Sequence, residues 1–206
     1  MDNEQAHAAR PGRLMLWPGH GLYVGPLLPN APHAHHAIQI TAALTGSFST
    51  VTTRGTRRSV AVAVVDSDEP HALHGIATSF QLYLDPGSWP GRLGHDANTD
   101  QWQRRLANQV RAQLPTLRRL WDERAPLEDW RPPISRITEP GDRPDGAAIR
   151  RVDSRVTEIL RGLHAAPAEP PSLADAAMQV HLSPGRFGHL FTEGTGLPYR
   201  RYQLWV

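Results

Sequence analysis

Residues 172–202 read SLADAAMQVHLSPGRFGHLFTEGTGLPYRRY, and their reading decides the fold of the C-terminal part. Ser172 fits an N-cap, and Asp175 three residues on makes a variant of the capping box. Leu173, Ala176, Ala177 and Val180 form the apolar side of one short helix. HLSP then turns the chain. Ser183 caps a second helix, with Pro184 at its first position, where a missing N–H costs nothing. Phe187, Leu190 and Phe191 would bury against the first helix, and Gly194 and Gly196 end the second. Two short helices across a tight turn are the minimum of a helix-turn-helix. Many small helical pairs share this shape without touching DNA, so the shape alone is weak.

The residues add more. Leu173, Ala174, Ala177, Ser183, Leu190, Phe191, Gly196 and Tyr202 follow one pattern: a Leu-Ala helix, a turn with Ser, a helix ending in Leu-Phe, then Gly and Tyr. This pattern resembles the start of the DNA-binding domain of AraC/XylS-family transcription regulators. The resemblance implies two helix-turn-helix units joined by a long helix, each unit entering a major groove. Here only the first unit and the start of the linking helix, LPYRRYQLWV, are expected, as an incomplete DNA-binding domain over 172–206. Leu204 and Trp205 would need partners beyond the last residue, which reads as a truncation. On the second helix the reading face would carry Gly185, Arg186, Gly188 and His189. Arg186 suits guanine, His189 a base or a phosphate, and the glycines neither. Ser183, Arg186, His189 and Arg200 are the candidate DNA contacts, with Arg201 beside them. Plain surface exposure is the alternative for each arginine.

Upstream, APAEPP at 166–171 is a short, stiff, proline-rich linker. Before it, 98–165 reads as a helical connecting or dimerising region. TDQWQRRLANQVRAQLPTLRRLWDE, 99–123, places Trp102, Leu106, Val110 and Leu114 at intervals of four, with arginines on the other faces. Pro115 should break or kink this helix. A second helix is expected from Gly146 to His164, with Ile149, Val152, Val156, Ile159, Leu160 and Leu163 on one side. Stripes this long must be covered, either by the rest of the chain or by a second copy, so a homodimer is expected.

From about Leu14 to Gly91 the pattern is β-rich. IQITAALTGSFSTVTT and RSVAVAVVD hold β-branched runs broken by GS, RGT and DSDEP turns, which suits a small barrel or sandwich. Within PHAHHAIQ, 32–39, strand alternation would put His33, His35 and Gln39 on one side and His36 on the other. The spacing resembles the first cupin motif, an HxH, then an acid four positions on, then Gly. Gln39 stands in place of the acid, and Gly46 supplies the Gly. DSDEPHALHG offers His71 as the later His, with His74 nearby. If the strands close, His33, His35 and His71 would converge on Zn²⁺, or on Fe²⁺, Mn²⁺ or Ni²⁺. Neutral Gln39 would make that site weaker or more open. A metal-free ligand pocket and plain structural histidines are the alternatives. AraC-type regulators commonly carry a cupin-like barrel as a sensor, so the resemblance favours a small-molecule effector. Trp17, Gln39, Phe48 and Tyr83 are candidate pocket residues, with Phe80, although ordinary core is the simpler role for the aromatics. FQLYLDPGSWPGR resembles the strand and turn that close such a barrel, with Asp85, Pro86 and Gly87 read as turn residues.

The expected architecture is therefore α+β: a cupin-like β-barrel over 10–95, amphipathic helices, and a small helix-turn-helix unit. Composition sets the bounds. The chain has 206 residues, 39% of them hydrophobic and 20% charged, enough for one large domain or two small ones. The absence of cysteine excludes disulfides and thiolate metal sites. All 22 Lys+Arg residues are arginine, which a GC-rich coding sequence explains. Net charge is −1 over 1–97, +3 over 98–166 and zero over 167–206, so the C-terminal segment lacks the basic excess usual for strong DNA binding. No signal peptide or apolar span is visible, so a cytoplasmic protein is expected. Three functions compete. One is a ligand-responsive regulator, not an enzyme, binding double-stranded DNA. The others are a metal-dependent cupin enzyme and a ligand-binding, dimerising fragment without DNA activity.

Overall fold

The computed structural model describes residues 10–86, 99–138 and 152–203, apart from 18, 54 and 167. Six strands come first: β1 Arg13–Trp17, β2 His20–Pro26, β3 Ile38–Thr52, β4 Gly55–Val60, β5 Val62–Val65 and β6 His71–Leu84. All pairings are antiparallel, in the order β1-β2-β6-β3-β4, with β5 also on β3. The expectation of a closed barrel is not met: among the described residues the path stays open from β1 to β4 and β5. The two long strands, β3 and β6, pair over nearly their whole length with a register shift between Ala43 and Thr45. Bulges of this kind bend a sheet. Just past it, a Cβ on Gly46 (φ +70°) would collide with the carbonyl oxygen of Ile76, so only glycine lets the strands approach there.

The register sorts the two faces. Leu22, Leu82, Ile40 and Val64 lie in one row, and Val24, Phe80, Ala42 and Val62 in the next. This apolar face lies under helix α1, Thr99–Asp122. Trp102, Leu106, Val110, Leu114, Leu117 and Trp121 of α1 are all buried there. A step of four overshoots one turn by about 40°, and the step of three from Leu114 to Leu117 corrects the drift. Each such side chain stabilises the core by roughly 1.5–3 kcal/mol when fully buried. The chain thus covers the α1 stripe with its own sheet, and the stripe requires no second copy. The expected break at Pro115 is absent, since the helix runs through it. Pro115 is exposed while Leu114 and Leu117 are buried, so packing on both sides outweighs one lost backbone bond. A 3₁₀ turn at Leu127–Trp130 and α2, Arg131–Thr138, complete this core, with Phe80 stacked on Trp130.

The second core is separate. Helix α3, Ser154–Ala165, packs with α4 Leu173–Gln179, α5 Pro184–Thr195 and α6 Tyr199–Gln203. The expected grouping of 98–165 therefore divides: α1 and α2 belong with the sheet, α3 with the C-terminal helices. The helix expected from Gly146 starts only at Ser154, because Asp153 caps it; 146–151, with Ile149, lie outside the described residues. So do Leu204, Trp205 and the expected closing turn beyond Pro86.

Candidate functional site

The other face of the sheet is polar. Here Gln39 lies opposite Tyr83 and Val65, and Thr41 opposite Gln81 and Ala63. Gln39 is 1% exposed. Its Nε2 donates to Thr41 Oγ1 and Gln81 Oε1, both at 3.1 Å. Tyr83 Oη donates to the same Gln81 oxygen at 2.9 Å, and Gln81 Nε2 donates to Ser79 Oγ at 3.0 Å. Burial pushes the Tyr83 phenol up to about 12, with Tyr23 adding to the effect. It stays a neutral donor at any ordinary pH.

Three histidines stand at one end of this face. His33, His35 and His71 each offer a ligand atom, and these atoms lie within 4.8 Å of one another. The expected convergence therefore occurs, but not by strand alternation, since β3 starts only at Ile38. His33 instead pairs with His71 by two backbone hydrogen bonds, of 3.0 and 2.8 Å. His36 turns away to Asp68 Oδ2 and Ser67 Oγ, both 3.1 Å, and ties the segment to the β5–β6 turn.

The hydrogen bonds fix the protons. Nδ1 of His33, His35 and His71 faces the backbone carbonyls of Ala31, Ala37 and Glu69 at 3.0, 3.0 and 2.8 Å. A carbonyl only accepts, so each Nδ1 carries the hydrogen and each neutral ring keeps its lone pair on Nε2. Nε2 of His35 and of His71 both lie 2.9 Å from Gln39 Oε1. With the amide oriented this way, acceptor faces acceptor twice. A shared cation reconciles them; so does a turned amide that donates to both rings. Burial lowers the His71 pKa below its usual value, and the neighbouring His35 and His33 push the same way. That favours a neutral ring over an imidazolium. Nδ1 anchored on backbone carbonyls with Nε2 lone pairs converging is the donor set a divalent metal requires. The residues present therefore fit a metal ion, with Gln39 Oε1 as a fourth donor.

The remaining sequence candidates separate. Trp17 stacks on His20 under the Arg131 guanidinium, on the strand at the sheet's edge. Phe48 packs with Leu27, Ala43 and Leu73 as core. Only Gln39 and Tyr83 join the histidines, Tyr83 by an edge contact to the His35 ring.

At the C-terminal unit both expected helices and their serine caps form, but Leu173 is exposed rather than buried and Gly194 lies inside α5, which Gly196 alone ends. Ser172 Oγ accepts from Asp175 N and Ser183 Oγ from Arg186 N, so each serine caps its helix. Ser183 thus spends its hydroxyl as an acceptor within the fold. His181 takes the left-handed turn at φ +56°. Phe187, Phe191, Tyr199 and Tyr202 form an aromatic cluster beneath the helices. Arg186, His189, Arg200 and Arg201 are exposed.

Asp85 was missed as more than a turn residue. It is 3% exposed, directly after β6, and its Oδ2 accepts from Tyr202 Oη at 2.6 Å. His164 Nε2 lies 3.1 Å from the same hydroxyl. No local signal marks this contact, because its partners are 117 residues apart.

No helix among the described residues is long and apolar enough to cross a membrane. No family model and no curated protein matches the chain. Three likenesses to solved structures stand out. Protein NMB1881 from Neisseria meningitidis has a TM-score of 0.32 and 19% identity over 41% of this chain and 97% of that one. ToxT from Vibrio cholerae, solved with an unsaturated fatty acid bound, has 0.28 and 10% over 95% and 97%. The AraC-like transcriptional activator CuxR has 0.30 and 15% over 91% and 73%. All three are low in both measures.

Proposed function

We propose that this chain is a ligand-responsive transcription regulator, a binding protein rather than an enzyme, that engages double-stranded DNA through α4 and α5. The observation that carries the reading is the helix-turn-helix: two serine-capped helices, a left-handed residue between them, and an aromatic core beneath. Arg186 and His189, three residues apart, stand exposed on one side of α5. The resemblance of residues 172–202 to AraC/XylS-family regulators supports it. One bidentate arginine–guanine contact supplies about 1–3 kcal/mol of discrimination, and Arg200 and Arg201 suit phosphate. The sensing site is the polar face of the sheet. There His33, His35 and His71, with Gln39, would hold a divalent ion such as Zn²⁺, Fe²⁺, Mn²⁺ or Ni²⁺. The ion would supply a Lewis-acidic position for an effector.

Fluorescence anisotropy with DNA from the gene's own upstream region tests the reading. The chain and its Arg186→Ala variant are titrated at two salt concentrations. Sequence-preferring binding that Arg186→Ala relaxes is expected. Binding that is absent, or weak, salt-sensitive and indifferent to sequence, would overturn it. A metal-dependent, cupin-type enzyme is favoured by the three imidazoles alone. Stoichiometric iron or manganese in protein purified without added metal, together with no DNA binding, would select that second reading.

A further inference from the structure

We propose that the His33–His35–His71–Gln39 centre, once loaded with a divalent ion, is a receptor for a small carboxylate that completes the ion's shell. The proposal rests on the metal reading above and names the class of effector that reading leaves open. Its basis is charge. Every donor in the set is neutral, three imidazoles and one amide, so the ion would keep its full double charge. His71 and Gln39 are 2% and 1% exposed, and a bare divalent charge beside them is costly without a counter-charge.

Among the described residues, the nearest acids on the chain are bonded elsewhere. Glu69 is bonded to the cluster through its backbone carbonyl, while its carboxylate, whose charge also reaches His71 through space, takes Asp66 N and Thr53 Oγ1. Asp68 is bonded to His36 and Ser67. Gln39 sits where an acid would neutralise the ion, and its amide is fastened by Thr41 and Gln81. A neutral side chain held this firmly presents an oxygen without supplying charge. None of these described acids ligates the set, which points to an anion from outside. Tyr83 lies against His35 on the inner side, whereas His33 lies at the rim, so the approach is past His33. No arginine is bonded to the set among the described residues, which suits a monoanionic carboxylate better than a phosphate dianion.

Co²⁺ loaded into the full chain makes the centre visible through its d–d absorption. Equilibrium dialysis should find one Co²⁺ per chain, lost in His35→Ala. Acetate should then shift the bands saturably, while acetamide, its uncharged isostere, leaves them unchanged. Gln39→Glu should keep Co²⁺ but weaken the acetate response by about tenfold or more, because the charge is now supplied from within. If Co²⁺ binds but acetate and acetamide act alike, or neither acts, the carboxylate receptor falls and the metal centre stands. An equal response to chloride and phosphate would also overturn it. If Co²⁺ does not bind, or binds equally in His35→Ala, the metal reading falls first. The acetate–acetamide comparison needs no variant, so it decides even if Gln39→Glu fails to fold.

Discussion

Asp153 starts a helix and sets a pH window with one side chain. Its Oδ1 accepts from the backbone N and the Nε of Arg155, both at 2.9 Å, and its Oδ2 from Nη2 at 2.7 Å. The Arg155 guanidinium, helped by the backbone N–H, holds the Asp153 carboxyl down at about 2, against an ordinary 3.8. The folded value lies below the unfolded one, so the unfolded chain binds the proton first as pH falls. The contribution is therefore fully present above about pH 4 and is lost as pH drops towards about 2. Asparagine caps a helix as well as aspartate but does not titrate. Asp153→Asn should thus flatten the fall in melting temperature between pH 4.5 and 2, read by helical circular dichroism. The wild-type-minus-variant difference removes the other acids. Equal pH slopes in both proteins would show that the pair contributes nothing.

At the scale of the element, α5 carries glycines that its fold does not all require. A Cβ on Gly185 would meet nothing within 4 Å, whereas Gly196 sits at φ +80° as the left-handed cap. Gly185→Ala should therefore stabilise the C-terminal unit by roughly 0.5–1 kcal/mol, by restricting the unfolded chain. Gly196→Ala should cost about 1–2 kcal/mol. Denaturant unfolding measures both, and signs other than these would refute the reading. If Gly185→Ala stabilises the fold yet weakens DNA binding, the bare face of α5 is itself a contact surface.

The same helices show what the sequence could reveal. Ser172, Ser183, Pro184 and Gly196 act within a turn of themselves, so both helices and their caps were legible. Pro115 does not break α1, because its local cost is outweighed by burial against β3 and β5, which no local signal records. The β-rich character was legible, but the open pairing was not, since register depends on long-range contacts. For the site, the His33–His35 spacing and the later His71 identified the right side chains. Their route together, a backbone bridge from His33 to His71, was not legible, nor was Asp85.

Among the described residues, the core under the sheet and the core of the C-terminal helices are joined by a polar contact between Asp85 and Tyr202. The sheet with α1 and α2 forms one core, and α3 to α6 form the other. Asp85, at the end of the strand that also carries Gln81 and Tyr83, accepts from Tyr202 at the start of the expected linking helix. His164 of α3 stands beside them, 4.0 Å from the carboxylate. A buried hydroxyl–carboxylate bond of this length contributes about 1.5–3 kcal/mol. That amount is available to the C-terminal unit only while it is docked on the sheet. Any ligand that stabilises the sheet unit should therefore stabilise the C-terminal helices through this contact, and the coupling must be reciprocal. Tyr202→Phe keeps the ring against Phe191 and removes only the hydroxyl. In calorimetry, Co²⁺ should raise the unfolding temperature of both cores in the wild type. In Tyr202→Phe it should raise the transition of the sheet core alone, with the C-terminal transition lower and unmoved by metal. If the C-terminal transition still follows Co²⁺ in that variant, the coupling runs through another contact, and Asp85 serves only to hold the two cores together.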